Sequence, residues 1–145
     1  MIKMRVFIKF IAVIGLITMA LSGETARGSS PDSGAGILDG MVFVGHVGPK
    51  GRDADGEDEV VFQNGQLLST SCSAYGFESA PYTASRSGDS IIFSAVTHSP
   101  KHGQIKWQGT VVGNEIEASY RWTKERWYWF DANEEHWLRA RLKQD

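Results

Sequence analysis

The feature that most constrains the fold is a strict alternation of side chains along residues 105–123. From residue 105 to 111 every second position is apolar or glycine and the positions between are polar; the first set is Ile105, Trp107, Gly109 and Val111. The alternation resumes after Gly113-Asn114 with Ile116, Ala118, Tyr120 and Trp122. A period of two belongs to a strand with one buried face, so two such runs joined by two turn-forming residues predict a β-hairpin.

The same pattern and further turn residues predict strands along most of the chain. Asn64-Gly65 joins residues 59–63 to 66–72, and both turn residues tolerate the positive φ that a type I′ turn requires. Residues 87–89 join 82–85 to 90–97 in the same way. Together with 41–47, 126–130 and 136–142, this gives about nine strands and no convincing amphipathic helix.

Short strands at regular spacing predict an all-β fold. Because neighbouring strands pair in chain order, we expect an antiparallel up-and-down meander, closed or partly closed into a small barrel. Closure would remove the exposed sheet edges that an open meander carries. A β-sandwich is the alternative.

The N-terminal residues have the features of an export signal. Lys3, Arg5 and Lys9 precede an apolar run over residues 10–21, which is shorter than the roughly 20 residues of a membrane span. We predict a signal peptide at 1–22, a flexible leader at 23–36 that is rich in Gly and Ser, and one antiparallel β domain at 37–145. The mature protein would be periplasmic or secreted with no stable membrane span; an uncleaved N-terminal anchor is the alternative.

Charge and cysteine content narrow the classes of protein further. Residues 23–145 carry 12 of the 15 basic residues and all 17 acidic residues, a net charge of −5. This balance argues against nucleic-acid binding, which favours a basic surface. With Cys72 as the single cysteine, no internal disulfide can form, so stability must come from core packing.

Cys72 stands three residues before a Tyr75-Gly76-Phe77 triplet and is either a reactive thiol or part of a corner. A nucleophilic cysteine needs a base and a lowered pKa, and the sequence places no histidine near it. We therefore predict that Cys72 ends a strand facing the core. Gly76 would take a left-handed conformation in the turn that follows.

Two segments contain residue types that bind metals. Asp53, Asp55 and Asp58 could supply oxygen ligands to calcium, but their spacing disagrees with an EF-hand loop, so a solvated acidic hairpin tip is favoured. His98 and His102 are four residues apart, yet Pro100 lies between them and argues against the helix that such a zinc pair needs. No metal or other cofactor is expected.

Aromatic residues are concentrated in the C-terminal third of the chain. Trp107, Tyr120 and Trp122 lie on the inward faces of the hairpin and are expected in the core. A strand at residues 126–130 would place two rings of Trp127-Tyr-Trp129-Phe on each face, so that one pair could stack on a ligand or a partner. Arg121 is a nearby positive charge that could bind an anionic group of a ligand. The candidate ligand-binding residues are Trp107, Tyr120, Trp122, Trp127, Trp129, Arg121, Tyr75 and Phe77.

Three stretches resemble a group of small exported bacterial proteins: SCSAYGFESAPYTA at 71–84, SPKHGQIKWQGTV at 99–111 and YRWTKERWYWF at 120–130. The shared motifs are Cys-x-x-Tyr-Gly-Phe, Ser-Pro-x-x-Gly and Trp-x-Gly-Thr-Val, and the resemblance covers residues 38–130. The chain also resembles calycin-like barrels. The resemblance implies secretion and a β-rich fold, and it implies no catalytic residues.

The functional hypothesis is a non-enzymatic binding module that holds a small apolar or aromatic ligand inside the barrel. The alternative is an envelope-associated module that contacts another protein through an exposed aromatic strand. An enzyme is disfavoured because the sequence has no phosphate-binding glycine loop, nucleophile elbow, redox cysteine pair or zinc signature.

Overall fold

The computed structural model describes residues 36–126 and 128–144 and shows eight antiparallel strands and one turn of helix. The strands are paired in chain order, and β8 returns to β1, so the sheet is a closed barrel. The all-β meander predicted from the alternation is confirmed, in its barrel form. The elements are β1 (Val42–Pro49), β2 (Gly56–Gln63), β3 (Gln66–Ser69), α1 (Thr70–Ser73), β4 (Ala80–Ser87), β5 (Ser90–Ser99), β6 (Gly103–Val112), β7 (Glu115–Lys124) and β8 (Ala132–Leu142).

The meander gives the barrel two different ends. Two-residue turns at 64–65, 88–89 and 113–114 lie at one end, which we call the turn end. Connections at 50–55, 70–79, 100–102 and 125–131 lie at the other, which we call the loop end. Asn64 and Gly65 have φ values of 54° and 71°, as the predicted type I′ turn requires.

Two strand predictions are wrong: one predicted strand does not form, and another ends earlier than predicted. The described residues between Lys124 and Ala132 form a loop, closed by a 2.9 Å hydrogen bond from the Arg126 amide to the Asp131 carboxylate, so residues 126 and 128–130 are not in a strand. The strand predicted to reach Cys72 ends at Ser69, because the Ser69 hydroxyl accepts a 3.3 Å bond from the Cys72 amide and caps α1.

No helix in the described part of the chain has the length and hydropathy that a membrane crossing requires.

Aromatic side chains fill the barrel toward the turn end. The Phe62 ring makes edge-to-face contacts with three neighbours at centroid distances of 5.0–6.1 Å. These neighbours are Phe43, Tyr82 and Phe93, all of which are almost fully buried. Edge-to-face pairs add stability beyond their buried area, so this cluster fixes the packing of β1, β2, β4 and β5.

Residues 36–41 close the turn end of the barrel. The Tyr82 hydroxyl accepts hydrogen bonds from the amides of Gly36 (3.1 Å) and Leu38 (2.9 Å) and donates one to Asp39 (2.9 Å). The Asp39 carboxylate also accepts a 3.0 Å bond from the Gly65 amide. Leu38 is fully buried against the core, and the Gly40 amide donates to the Phe62 carbonyl at 2.8 Å, so the Tyr82 hydroxyl and the β2 backbone together hold this plug in place.

Replacing Tyr82 with Phe keeps the buried ring and removes the three hydrogen bonds of the Tyr82 hydroxyl. We expect Tyr82→Phe to lower the free energy of unfolding by about 1–3 kcal/mol, because the Gly36 and Leu38 amides lose their acceptor and the Asp39 carboxylate loses one of its two donors. Urea denaturation monitored by circular dichroism measures the change. Tyr75→Phe, on an exposed ring, is the control and should stay within about 0.5 kcal/mol; equal stability of both variants would contradict this role of Tyr82.

Candidate functional site

Three rings on adjacent strands form a stack toward the loop end. Trp107, Tyr120 and His136 face each other across β6, β7 and β8 in register. The Trp107 and Tyr120 centroids are 4.4 Å apart, and those of Tyr120 and His136 are 5.0 Å apart with the planes within 7° of parallel. Trp107 is buried and donates from Nε1 to the Thr97 hydroxyl at 3.3 Å, whereas Tyr120 and His136 are half-buried. The stack therefore runs from the core to the solvent.

Asp58 lies inside the barrel and not at a solvated hairpin tip, which corrects the expectation for the acidic segment. It is 4% exposed and accepts bonds from the Ser69 hydroxyl (2.5 Å) and the Ser71 amide (3.0 Å). Asp53 and Asp55 are exposed on the 50–55 loop. Among the described residues, no three His, Cys, Asp or Glu side chains are grouped so that they could hold a metal ion.

The environment of Cys72 keeps its thiol protonated. Burial raises the pKa of Cys72, and the negative charge of Asp58 raises it further, while hydrogen bonds from Ser69 and Ser71 act in the opposite direction. Burial also raises the pKa of Tyr120 well above its usual range, and Cys72, Asp58 and Asp55 add to this shift. A raised pKa is the opposite of what nucleophilic catalysis by cysteine needs.

Trp122, Tyr75 and Phe77 belong to the packing of the loop end. Trp122 Nε1 donates to the His102 carbonyl at 2.6 Å, and the Tyr75 ring meets the His102 ring edge-on at 5.7 Å. Phe77 is buried in the core after Gly76, whose φ of 84° confirms the predicted left-handed turn. His98 is exposed and faces outward, whereas His102 is half-buried in these contacts.

Three successive aromatic side chains are exposed on the 125–131 loop. Tyr128, Trp129 and Phe130 are 65%, 68% and 82% exposed, and the Trp129 and Phe130 rings meet edge-on at 5.9 Å. We call residues 128–130 the aromatic loop. Trp127, the fourth aromatic residue of the predicted strand, lies outside the described residues. The expected division into one inward and one outward pair is therefore replaced by three solvent-facing rings.

Arg121 lies on the outer face of the barrel, away from the ring stack. Its guanidinium donates to Asn133 at 2.8 Å and to Glu135 at 2.9 Å. Lys50 donates to the same carboxylate at 3.0 Å, and the pKa of Glu135 is lowered, first by this hydrogen bond and then by the charges of Lys50 and Arg121. The Arg121 charge is thus engaged with neighbouring strands.

None of four concave regions formed by the described residues is lined by Trp107, Tyr120 or Trp122. The largest, about 1120 Å³, lies on the outer face of β4 to β8. Another, about 630 Å³, lies between the 100–102 and 125–131 loops. These two concave surfaces therefore lie outside the barrel interior, where the sequence had predicted a ligand.

The sequence analysis named Asp58 only as a weak metal candidate at a solvated tip, and it did not single out His136 as a site residue. Both continue an alternation that was recognised for their neighbours. Asp58 precedes Val60 and Phe62 by even steps, and His136 precedes Leu138 in the same way. The alternation alone places both side chains on the inward face.

The raised pKa of Cys72 predicts slow alkylation of the folded protein. At pH 8 only a small fraction of the thiol is ionised, and only the thiolate reacts. Iodoacetamide should therefore modify folded Cys72 several-fold more slowly than the same protein in 8 M urea, because the raised pKa lowers the thiolate fraction and partial burial limits access. Mass spectrometry of timed samples gives both rates, and equal rates would contradict the assignment.

Comparison with known proteins finds no relative of the chain. No protein-family model, no curated protein and no solved structure matches the chain. The geometry of the barrel and the exposed aromatic loop are therefore the evidence for its function.

Proposed function

We propose that this chain is an exported, non-enzymatic interaction module that docks a protein of the cell envelope through the aromatic loop. The observation that carries the proposal is the exposure of Tyr128, Trp129 and Phe130, each with about two thirds or more of its surface in solvent. Single exposed apolar residues are normal on a protein surface, but three exposed aromatic residues in succession, two of them in ring contact, concentrate apolar surface in one loop.

The energetics of aromatic side chains support docking. Burying one such ring contributes about 1.5–3 kcal/mol, so three rings supply enough free energy for a specific contact. Aromatic residues are also enriched among the few side chains that dominate binding energy at protein interfaces. The Trp129 and Phe130 rings already touch, so part of the ordering cost of the patch is met before a partner arrives.

The polar groups near the ring stack support a non-enzymatic role. Asp58 is held by the Ser69 hydroxyl and the Ser71 amide, and the pKa of Cys72 is raised. A general base or nucleophile needs the opposite arrangement, with a free lone pair aimed at a substrate and a pKa near neutrality.

An exported location is part of the proposal. The basic residues Lys3, Arg5 and Lys9, followed by the apolar run at 10–21, support it. The absence of an internal disulfide is compatible with this location because the core of the barrel is packed with aromatic side chains. We also propose that the chain is related to the small exported bacterial proteins and calycin-like barrels that its sequence resembles.

A second candidate function is binding of a small aromatic ligand at the loop end. It is favoured by the half-exposed Tyr120 and His136 rings, on which a flat molecule could extend the stack. Docking through the aromatic loop has the stronger support, because the concave regions described above do not include these rings.

The docking proposal predicts that two serine substitutions abolish partner capture without harming the fold. The immobilised double variant Trp129→Ser, Phe130→Ser should retain at least about tenfold less of an envelope protein than the native chain, since hot-spot truncations cost about 2 kcal/mol or more. Its melting temperature should be unchanged, because neither ring is buried. Quantitative mass spectrometry of material captured from a solubilised envelope extract measures the difference.

Val112→Ser is the matched control, because Val112 is a 49% exposed apolar residue that lies at the opposite, turn end. It should capture the same protein as the native chain. Equal capture by the double variant, or a fall in its melting temperature of the size expected for core residues, would contradict docking through this loop.

A further inference from the structure

The outer face of β6 to β8 carries cations side by side near the loop end of the barrel. Register places Lys106 on β6 directly opposite Arg121 on β7, and Arg121 opposite Glu135 on β8. Like charges that face each other across two strands destabilise a sheet, so the Lys106–Arg121 pair departs from the usual cross-strand pattern. We call these two cations and the adjacent Lys50 the cation row.

The cation row has too few carboxylates to balance its charge. One oxygen of Glu135 accepts bonds from both Lys50 (3.0 Å) and Arg121 (2.9 Å), so two cations share one acid. Lys106 is exposed, and among the residues that the structure describes no carboxylate lies within ion-pair distance of its amine. Its outward-facing neighbours in register and along β6 carry no negative charge; they are Val96, Arg121, Gln104 and Gln108. The cation row therefore presents a surplus of positive charge to solvent.

Charges on the outer face toward the turn end are balanced. Three cations there each lie within ion-pair distance of an acid on a neighbouring strand; the pairs are Arg139–Glu117 (3.8 Å), Arg141–Glu115 (3.2 Å) and Lys143–Glu59 (3.1 Å). Acidic residues outnumber basic residues in 23–145, so composition does not explain a cation without a neighbouring acid. The surplus at the cation row is a local exception to the charge pattern of the barrel.

The cation row and the aromatic loop are close enough to lie in one interface. Arg121 is three residues from Lys124, where β7 ends and the connection with the aromatic loop begins, which is about 10 Å along the strand. The concave region of about 630 Å³ borders both, since Gln104 and Thr123 beside the cation row and Asp131 beside the aromatic loop line it. A standard interface covers about 800 Å² of each partner, which is wide enough to include both features.

We infer that the protein docked by the aromatic loop presents an acidic segment to the cation row. This inference rests on the proposed function and names the chemistry of its partner. Asp or Glu side chains of the partner pair with Lys106 and Arg121, while an apolar part of the same surface covers the rings of the aromatic loop. Charges at the rim of an interface mainly raise the association rate and select the partner, whereas the aromatic rings supply most of the affinity.

NMR titration of the isotope-labelled full chain with hexa-L-glutamate, at about 20 mM NaCl, tests recognition of acidic segments with a defined probe. Amide shifts should be largest around Lys106 and Arg121, with a Kd of about 10 mM or tighter. Lys106→Gln should weaken this binding at least about threefold, because it removes the cation that has no acid of its own. Raising NaCl to about 0.3 M should weaken it at least about fivefold, because salt screens exposed charges.

Lys143→Gln is the matched control, because it makes the same charge change at the turn end, where Lys143 is paired with Glu59. It should leave the Kd for hexaglutamate unchanged. No binding of hexaglutamate, or equal weakening by the two lysine variants, would overturn the inference. Binding of the native chain to phosphatidylglycerol vesicles that Lys106→Gln abolishes would assign the cation row to a lipid surface and would overturn it too.

The titration and the capture experiment fail independently. Hexaglutamate binding at Lys106, together with full capture by the Trp129→Ser, Phe130→Ser variant, would remove the docking role of the aromatic loop and keep the acid recognition of the cation row. Loss of capture by that double variant without hexaglutamate binding would keep docking and exclude the cation row from it. Where both hold, Lys106→Gln should retain at least about threefold less of the captured protein than Lys143→Gln.

Discussion

Pairing between the first and last strands sets the geometry on which the rest of this protein depends. β1 and β8 pair from Phe43 and Leu142 at one end to Pro49 and His136 at the other, and this turns an open meander into a barrel without sheet edges. The close approach requires glycine at position 45. A Cβ there would collide with the Arg139 carbonyl and lie 2.5 Å from the Ala140 Cα.

The interior of the closed barrel has two regions that differ in their side chains. Toward the turn end, Phe43, Phe62 and Phe93 form a dry aromatic cluster under the plug held by Tyr82. Toward the loop end, the interior contains a carboxylate, a thiol and half-exposed rings. Burial raises the pKa of Cys72 in this second region, which disfavours the nucleophilic thiolate form of its side chain.

Local signals in the sequence predict much of this fold. The Asn64-Gly65 and Gly113-Asn114 hairpins follow from turn chemistry and a period of two, and their registers confirm that Trp107 and Tyr120 face each other inside the barrel. The sequence could not show what depends on distant contacts. Residues 126–130 have the composition of a strand, but the Asp131 carboxylate accepts a bond from the Arg126 amide, and the described residues 128–130 lie in a loop.

The same limit applies to the candidate site. Asp58 was interpreted as solvated from the charge of its neighbours, although register turns it inward, where hydroxyl and amide groups of the following segment bind it. The large concave region on the outer face of β4 to β8 was not predicted at all, because it requires five strands aligned in register, which no single segment encodes. Sequence therefore locates the strands, and closure decides which surfaces they present.

The most direct test of this account is a proton NMR measurement of contacts between β1 and β8. Nuclear Overhauser effects should connect Gly45 with Ala140 and Val44 with Arg141, alongside those of the β6–β7 hairpin. Hairpin contacts without any between the first and last strands would show an open sheet. That result would contradict barrel closure.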